Sequence, residues 1–268
     1  MMLFKHVFII KLIFLAFINM ISAETSEEKA LRISTDGYNY DKGFGDFTSD
    51  SKMTLRNKQG EETVRKFRGK TLEVDGDGDK TLFIFDSPKD VKGTATLTFT
   101  HKLDPDDQWL YLPALKRVKR ITSDNRSGSF VGSEFAYEDL GSQELEKYKD
   151  RKYLRKEACP NNNELDCHVI SRVPTEKSSG YKYQMLWLDD TSAHKVWKID
   201  YFDRKGSHLK TLFFEDYKIY LDKHWRPSIY KMINHQTGKS TDLLVQNIRF
   251  KVGLSSRDFN PKSLSRAR

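Results

Sequence analysis

From Asp46 onward the chain alternates apolar and polar residues in short runs, each stopped by Gly, Asn, Asp or Pro. That period suits antiparallel strands with one buried face, and it leaves little room for long helices. KGTATLTFTHK is the strictest case, with Ala95, Leu97 and Phe99 on one face and threonines on the other. SKMTLRNKQG places Met53 and Leu55 together before a turn at Gln59-Gly60, and TLFIFDSP is a dense strand ended by Pro88. YKYQMLWLDDTSAHKVWKIDYFDRKGSHLKTLFFEDYKIY reads as three strands, and HWRPSIYKMINHQTGKSTDLLVQNIRFKVG as a hairpin turning at Thr237-Gly238. In QWLYLPALKRVKRI two short strands meet at Pro113-Ala114, because Pro113 cannot donate to a central ladder. Helix is confined to a short N-terminal piece before Gly37 and a helix or turn in SEFAYEDLGSQELEKYK. Phe259 and Leu264 can dock the start of the basic tail. Such a meander builds an antiparallel sheet or a partial barrel.

The first residues set the compartment. Lys5, His6 and Lys11 precede an apolar run from Leu12 to Ile21, and Ile-Ser-Ala offers cleavage after Ala23. That layout is a secretory signal peptide, and the run is too short for a comfortable membrane span. Residues 1–23 are therefore expected to be removed, leaving 24–268 as one domain. Losing Lys5 and Lys11 lowers the formal net charge from +8 to about +6. An exported basic protein rarely meets nucleic acid; anionic lipid and acidic protein surfaces are the natural counterparts. In the same oxidising setting, Cys159 and Cys167 of CPNNNELDC favour a disulfide across a hairpin over free or metal-bound thiols.

Catalytic and metal patterns are thin. DGDGDK (75–80) resembles the start of a calcium loop, but Lys80 and Asp86 stand where Gly and Glu are needed. The histidines are scattered, and neither H-E-x-x-H nor G-x-S-x-G occurs. The reading is a non-enzyme without metal or cofactor. Its aromatic residues serve either as core or as the lining of an apolar cavity.

The runs TLRNKQGEETVRKFR, FDSPKDVKGTATLTF, DQWLYLPALKRVKRI and FVGSEFAYEDL resemble the LolA-like outer membrane lipoprotein-sorting protein family, and within it a larger periplasmic branch. YFDRKGSHLKTLFF, RPSIYKMINHQTGKSTDLL and FNPKSL are similar too, so the resemblance spans about Asp46 to Leu264. It implies an incomplete antiparallel β-barrel with short helices as a lid over an apolar cavity. It implies a soluble periplasmic carrier of lipid or acylated cargo. It also implies a resistance-nodulation-division (MMPL-type) exporter as inner-membrane partner, with transient contact to the membrane surface. The Cys159–Cys167 hairpin departs from the family's shorter carriers and leaves the cargo open.

Candidate ligand-binding residues on the alternating strands are Phe83, Phe85, Leu97, Phe99, Trp109, Tyr111, Trp187 and Trp197. Periodicity does not say which face of each strand looks inward, since a one-residue register change flips every side chain. Arg117 and Arg120 are candidates for a head group or a transporter surface. Two other functions are carried forward: an accessory subunit that scaffolds an exporter without carrying cargo, and a periplasmic hydrolase built on paired carboxylates.

Overall fold

The computed structural model describes residues 23–266. The expected signal peptide therefore lies, apart from Ala23, outside the described residues. The chain begins with helix α1 (Ser26–Asp41), followed by β1 (Asp46–Arg56), β2 (Glu62–Leu72), β3 (Lys80–Ser87), β4 (Ala95–Phe99), β5 (Asp107–Leu112) and β6 (Arg117–Ile121). A long connection, 122–147, contains short 3-10 turns and one isolated bridge, Ser129–Ala136. Then come β7 (Tyr148–Cys159), β8 (Asn162–Pro174), β9 (Tyr181–Asp189), β10 (Val196–Asp203), β11 (His208–Tyr220), β12 (His224–Asn234) and β13 (Ser240–Phe250).

All thirteen strands join one sheet in the order β6-β5-β4-β3-β2-β1-β13-β12-β11-β10-β9-β8-β7. Every neighbouring pair is antiparallel. β6 and β7 are the two ends and do not pair, so the barrel is incomplete, as expected. The sheet is nevertheless strongly curled. Phe85 on β3 and Ile170 on β8 belong to one buried cluster, yet they stand eight strands apart in the order. In a flat sheet they would be roughly 38 Å apart, at about 4.8 Å per strand. Only a sheet wrapped around its own inner face brings them together.

The alternation read from sequence maps onto this curl. Inner positions include Met53, Phe67, Phe85, Leu186, Ile199, Tyr201, Leu212 and Met232, and α1 adds Ala30 and Ile33 to the same core. On the other side of β3–β5, Leu82, Ile84, Ala95 and Leu97 bury themselves under Phe259 and Leu264 of the C-terminal segment. The tail thus docks as its two apolar residues suggested, and it covers the outer face.

Helix α1 starts at Thr25 with a capping box: Glu28 N–H donates to Thr25 Oγ1 (3.2 Å), and Thr25 N–H donates to Glu28 Oε2 (2.8 Å). It was expected to end before Gly37 but runs on to Asp41. Gly37 is small for another reason, since a Cβ there would come within 3.0 Å of His194 Cβ. The QWLYLPALKRVKRI run does split at Pro113, which opens a single 3-10 turn between β5 and β6. Cys159 and Cys167 form a disulfide across the β7–β8 hairpin. The hairpin turn is shorter than the PNNNEL insert suggested: Cys159 pairs with Asn162 in register, and Asn161 takes a positive φ.

The far end of α1 meets the 122–147 connection through an acidic pocket. Tyr38 donates to Glu144 Oε2 (2.5 Å), and Ser142 donates to Glu144 Oε1 (2.8 Å). Beside them, burial and then the negative charges of Glu144 and Glu73 push the Asp79 carboxyl up to about 7 from an ordinary 3.8. A carboxyl whose pKa rises on folding binds its proton more tightly in the folded chain. Its contribution is complete below the ordinary value and is lost as pH rises through about 7. Stability should fall between about pH 5 and about pH 8, and Asp79→Asn should flatten that slope. Urea midpoints of both proteins at the two pH values check this; parallel slopes would rule out Asp79 as the cause.

Candidate functional site

The inner face is lined by aromatic rings and closed by a plug. The 122–147 connection links the two unpaired edge strands and dips into the curl. Phe130 and Phe135 are buried there among strand residues, with Val131, Tyr137 and Leu140 packed alongside. The Phe130 ring centroid lies 5.7 Å from Phe85, 6.1 Å from Phe83 and 5.8 Å from Tyr137. Phe67 extends the row, 5.0 Å from Phe85 and 5.3 Å from Phe83. Such tilted and edge contacts are favourable aromatic geometries.

The plug is pinned at its ends and base and tightly turned at its tip. At its ends, Arg126 pairs with Glu176, and Lys147 pairs with Asp106. At its base, Lys210 Nζ pairs with Asp139 Oδ2 at 2.7 Å, with both side chains 4% exposed. Lys210 also donates to the Glu134 carbonyl (2.9 Å), and Tyr181 donates to Asp139 Oδ1 (2.7 Å). Asn234 donates to Glu134 Oε2 (2.6 Å), and Gln108 donates to the Tyr137 carbonyl (2.8 Å). Glu138 accepts from Ser179 (2.7 Å) and Gly180 N–H (2.9 Å); burial, its largest influence, holds its carboxyl above the usual range. Burial likewise pushes the Tyr181 phenol well up. At the tip, Val131 takes φ 47° and Gly132 φ 76°. A β-branched residue in that region is strained by roughly 1–2 kcal/mol.

The sequence-predicted residues divide among three places. Phe83 and Phe85 stand together on the inner face, against the plug. Leu97, Phe99, Trp109 and Tyr111 lie on the opposite face, packed with the C-terminal segment. Their inner-facing neighbours are instead Thr96, Thr98 and Gln108, all buried. Trp187 and Trp197 pack with the disulfide on the far side of the sheet. Trp187 donates to Glu157 (2.6 Å) and Trp197 to Asp189 (3.0 Å). A register shift between Val196 and Lys198 leaves Trp197 as the extra residue of its strand. Arg117 and Arg120 are both exposed on the edge strand β6 but point to opposite faces; Arg120 is paired with Asp107.

The inner residues that the sequence did not single out are Phe67, Phe130 and Phe135. Phe130 and Phe135 lie in FVGSEFAYEDL, which alternates too poorly to announce a plug. The DGDGDK run is a turn: Asp77 accepts from the Lys102 N–H (2.9 Å) and bonds His101 Nδ1 (2.8 Å). Among the described residues, no cluster of three or more His, Cys, Asp or Glu is placed to hold a metal ion.

A curled, unclosed antiparallel sheet with an apolar inner face under a non-strand closure defines a LolA-like half-barrel protein. A family model described as "uncharacterized protein" matches residues 77–266. A domain from Vibrio parahaemolyticus named for outer membrane lipoprotein sorting is 51% identical, with a TM-score of 0.86, covering 89% of this chain and 99% of that one. The chain belongs to the outer membrane lipoprotein-sorting protein family. A DUF1329 family protein from Desulfovibrio piger is 26% identical, with a TM-score of 0.83, covering 90% and 99%. A LolA superfamily protein from Nitrosomonas europaea shares the fold at 17% identity and a TM-score of 0.67, covering 86% and 97%. Among curated proteins, none matches.

The plug base is testable by itself. Lys210→Met leaves Asp139 buried without its cation and should cost about 3–5 kcal/mol. Replacing both partners, with Asp139→Leu added, should restore much of that loss. Guanidinium unfolding of the two variants decides it; a single-variant loss below about 1 kcal/mol would mean that the pair does not hold the plug.

Proposed function

We propose that the protein is a periplasmic carrier that takes up a lipid or the acyl chains of a lipoprotein on its inner face. The observation behind this reading is the plug. Phe130 lies against Phe83 and Phe85, in an apolar space closed by a segment that belongs to no strand. An acyl chain can take the volume of such a segment without breaking the sheet. Each methylene removed from water contributes about 0.8 kcal/mol, so the site needs neither nucleophile nor metal. The Vibrio parahaemolyticus relative, named for lipoprotein sorting, supports the cargo class.

In this reading residues 1–23 are an export signal cleaved after Ala23, and 24–268 act as one unit. The exposed basic edge at Arg117 and Arg120 serves transient contact with a membrane surface or with an exporter of the resistance-nodulation-division type. Phe83 and Phe85 belong to the cargo site. Leu97, Phe99, Trp109 and Tyr111 enter it only by an opening of the C-terminal segment, and Trp187 and Trp197 support the disulfide hairpin. One observation favours the scaffold alternative, because a filled interior is also what a non-carrying subunit would have.

Organic extraction and native mass spectrometry of protein purified from its own periplasm separate the two. The carrier should yield bound lipid and, once stripped, take it up again. Phe83→Asn should reduce uptake severalfold, whereas Trp109→Ser on the outer face should leave it unchanged. Stripped protein that refuses every lipid would leave the scaffold reading standing.

A further inference from the structure

Arg65 has no part in the contacts described above. It lies on β2 directly opposite Met53 of β1, and two positions before Phe67, so it occupies the apolar inner row. Its Nε and Nη1 are shielded from solvent and have no hydrogen-bond partner among the described residues. A guanidinium has five donors and loses much by being left dry and unpaired. Folded proteins retain few such groups, and those retained call for an explanation. The negative charge acting on it through space is Asp90, on the exposed turn after β3.

Arg65 also lies beside the tip of the plug. A Cβ at Gly132 would stand 3.5 Å from Arg65 Nη2. The turn lying against this arginine is therefore the one containing Val131 and Gly132, both at positive φ. An unsatisfied cation and a strained backbone thus meet at one place, where the apolar row of Phe67, Phe83 and Phe85 begins.

We propose that Arg65 is a binding residue for an anionic group on the cargo, so that the ligand is an acyl chain ending in a carboxylate or phosphate. The proposal rests on the carrier reading and names its ligand class. The chain takes the place of the Phe130 turn along the aromatic row. The two oxygens of the head group accept along one edge of the planar guanidinium, from Nη2 together with either Nε or Nη1, so that one of the bare donors gains a charged partner. Withdrawal of the turn also relieves the strain at Val131.

The test uses the mature, delipidated protein and two ligands of identical chain, oleate and methyl oleate, kept below their aggregation range. Displacement of a bound hydrophobic dye reads their affinities. Oleate should bind on the order of tenfold more tightly than its ester. Arg65→Gln should erase that preference while keeping methyl oleate binding. Asp90→Asn, on an exposed turn where folding is not at stake, should tighten oleate about twofold and leave the ester unchanged. Equal binding of both ligands by the unmutated protein overturns the proposal and leaves the carrier reading intact. A preference that survives Arg65→Gln, or an Asp90→Asn effect equal for both ligands, also overturns it. If neither ligand binds, the proposal falls, and the carrier reading is then decided by extraction and re-uptake of the native lipid. Free fatty acid and phospholipid share the required chemistry; extraction of the native protein distinguishes them.

Discussion

The structure depends on one sheet being forced to share a core with itself. Thirteen strands joined edge to edge have two faces, and the inner one carries residues from β1–β3 and β8–β12 that bury only if the sheet curls. Burial of that apolar surface, at about 25 cal/mol per Å², drives the curl. The curl does not close, because β6 and β7 remain apart. An open sheet leaves unpaired edges and an exposed mouth, and both must be managed. The 122–147 connection answers the second need. It joins the two edges in sequence and packs Phe130 and Phe135 onto the inner face.

The two faces of the sheet have accordingly different fates. The outer face of β3–β5 is covered by the chain's own C-terminal segment through Phe259 and Leu264. The outer face near β8–β10 is consolidated by the disulfide and by two tryptophans whose indole N–H groups are satisfied by Glu157 and Asp189. The inner face is covered by a segment whose tip is tied to itself by one isolated bridge, Ser129–Ala136, and is paired with no strand of the sheet. Disruption there costs side-chain contacts and local turns rather than strand pairing, so the tip is the cheapest part of the core to move.

Much of this was legible in the sequence, for a definite reason. Period-two alternation, glycine turns such as Gly60 and Gly238, and the stop at Pro113 are local signals, and the strands and hairpins follow from them. The disulfide pairing followed from compartment and spacing, and the docking of Phe259 and Leu264 from two apolar residues in a polar tail. What was not legible was direction. Ala95, Leu97 and Phe99 share a face, as their alternation said, but nothing local told that face from the one holding Phe83 and Phe85. That assignment depends on which side the connection and α1 choose, a long-range fact. Trp197 is harder still, because the irregularity beside it breaks the parity rule. The plug was hidden because FVGSEFAYEDL has neither period.

A filled interior looks at first like an obstacle to carrying anything, but the energetics run the other way. An acyl chain of ordinary length gains on the order of 10 kcal/mol when it leaves water for a dry pocket, at about 0.8 kcal/mol per methylene. A carrier with a rigid, empty cavity would keep all of that gain and release its cargo slowly. An empty apolar cavity of that size would also destabilise the unloaded protein, by roughly 24 cal/mol per Å³. A plug removes both problems. Phe130 and Phe135 each contribute about 1.5–3 kcal/mol of burial, which cargo taking their place would forfeit. In the proposed carrier, uptake would exchange one apolar filling for another, and the net affinity would be the difference between two similar quantities. In the balance we propose, the small specific terms, the strain at Val131 and the unpaired donors of Arg65, would carry the choice of ligand.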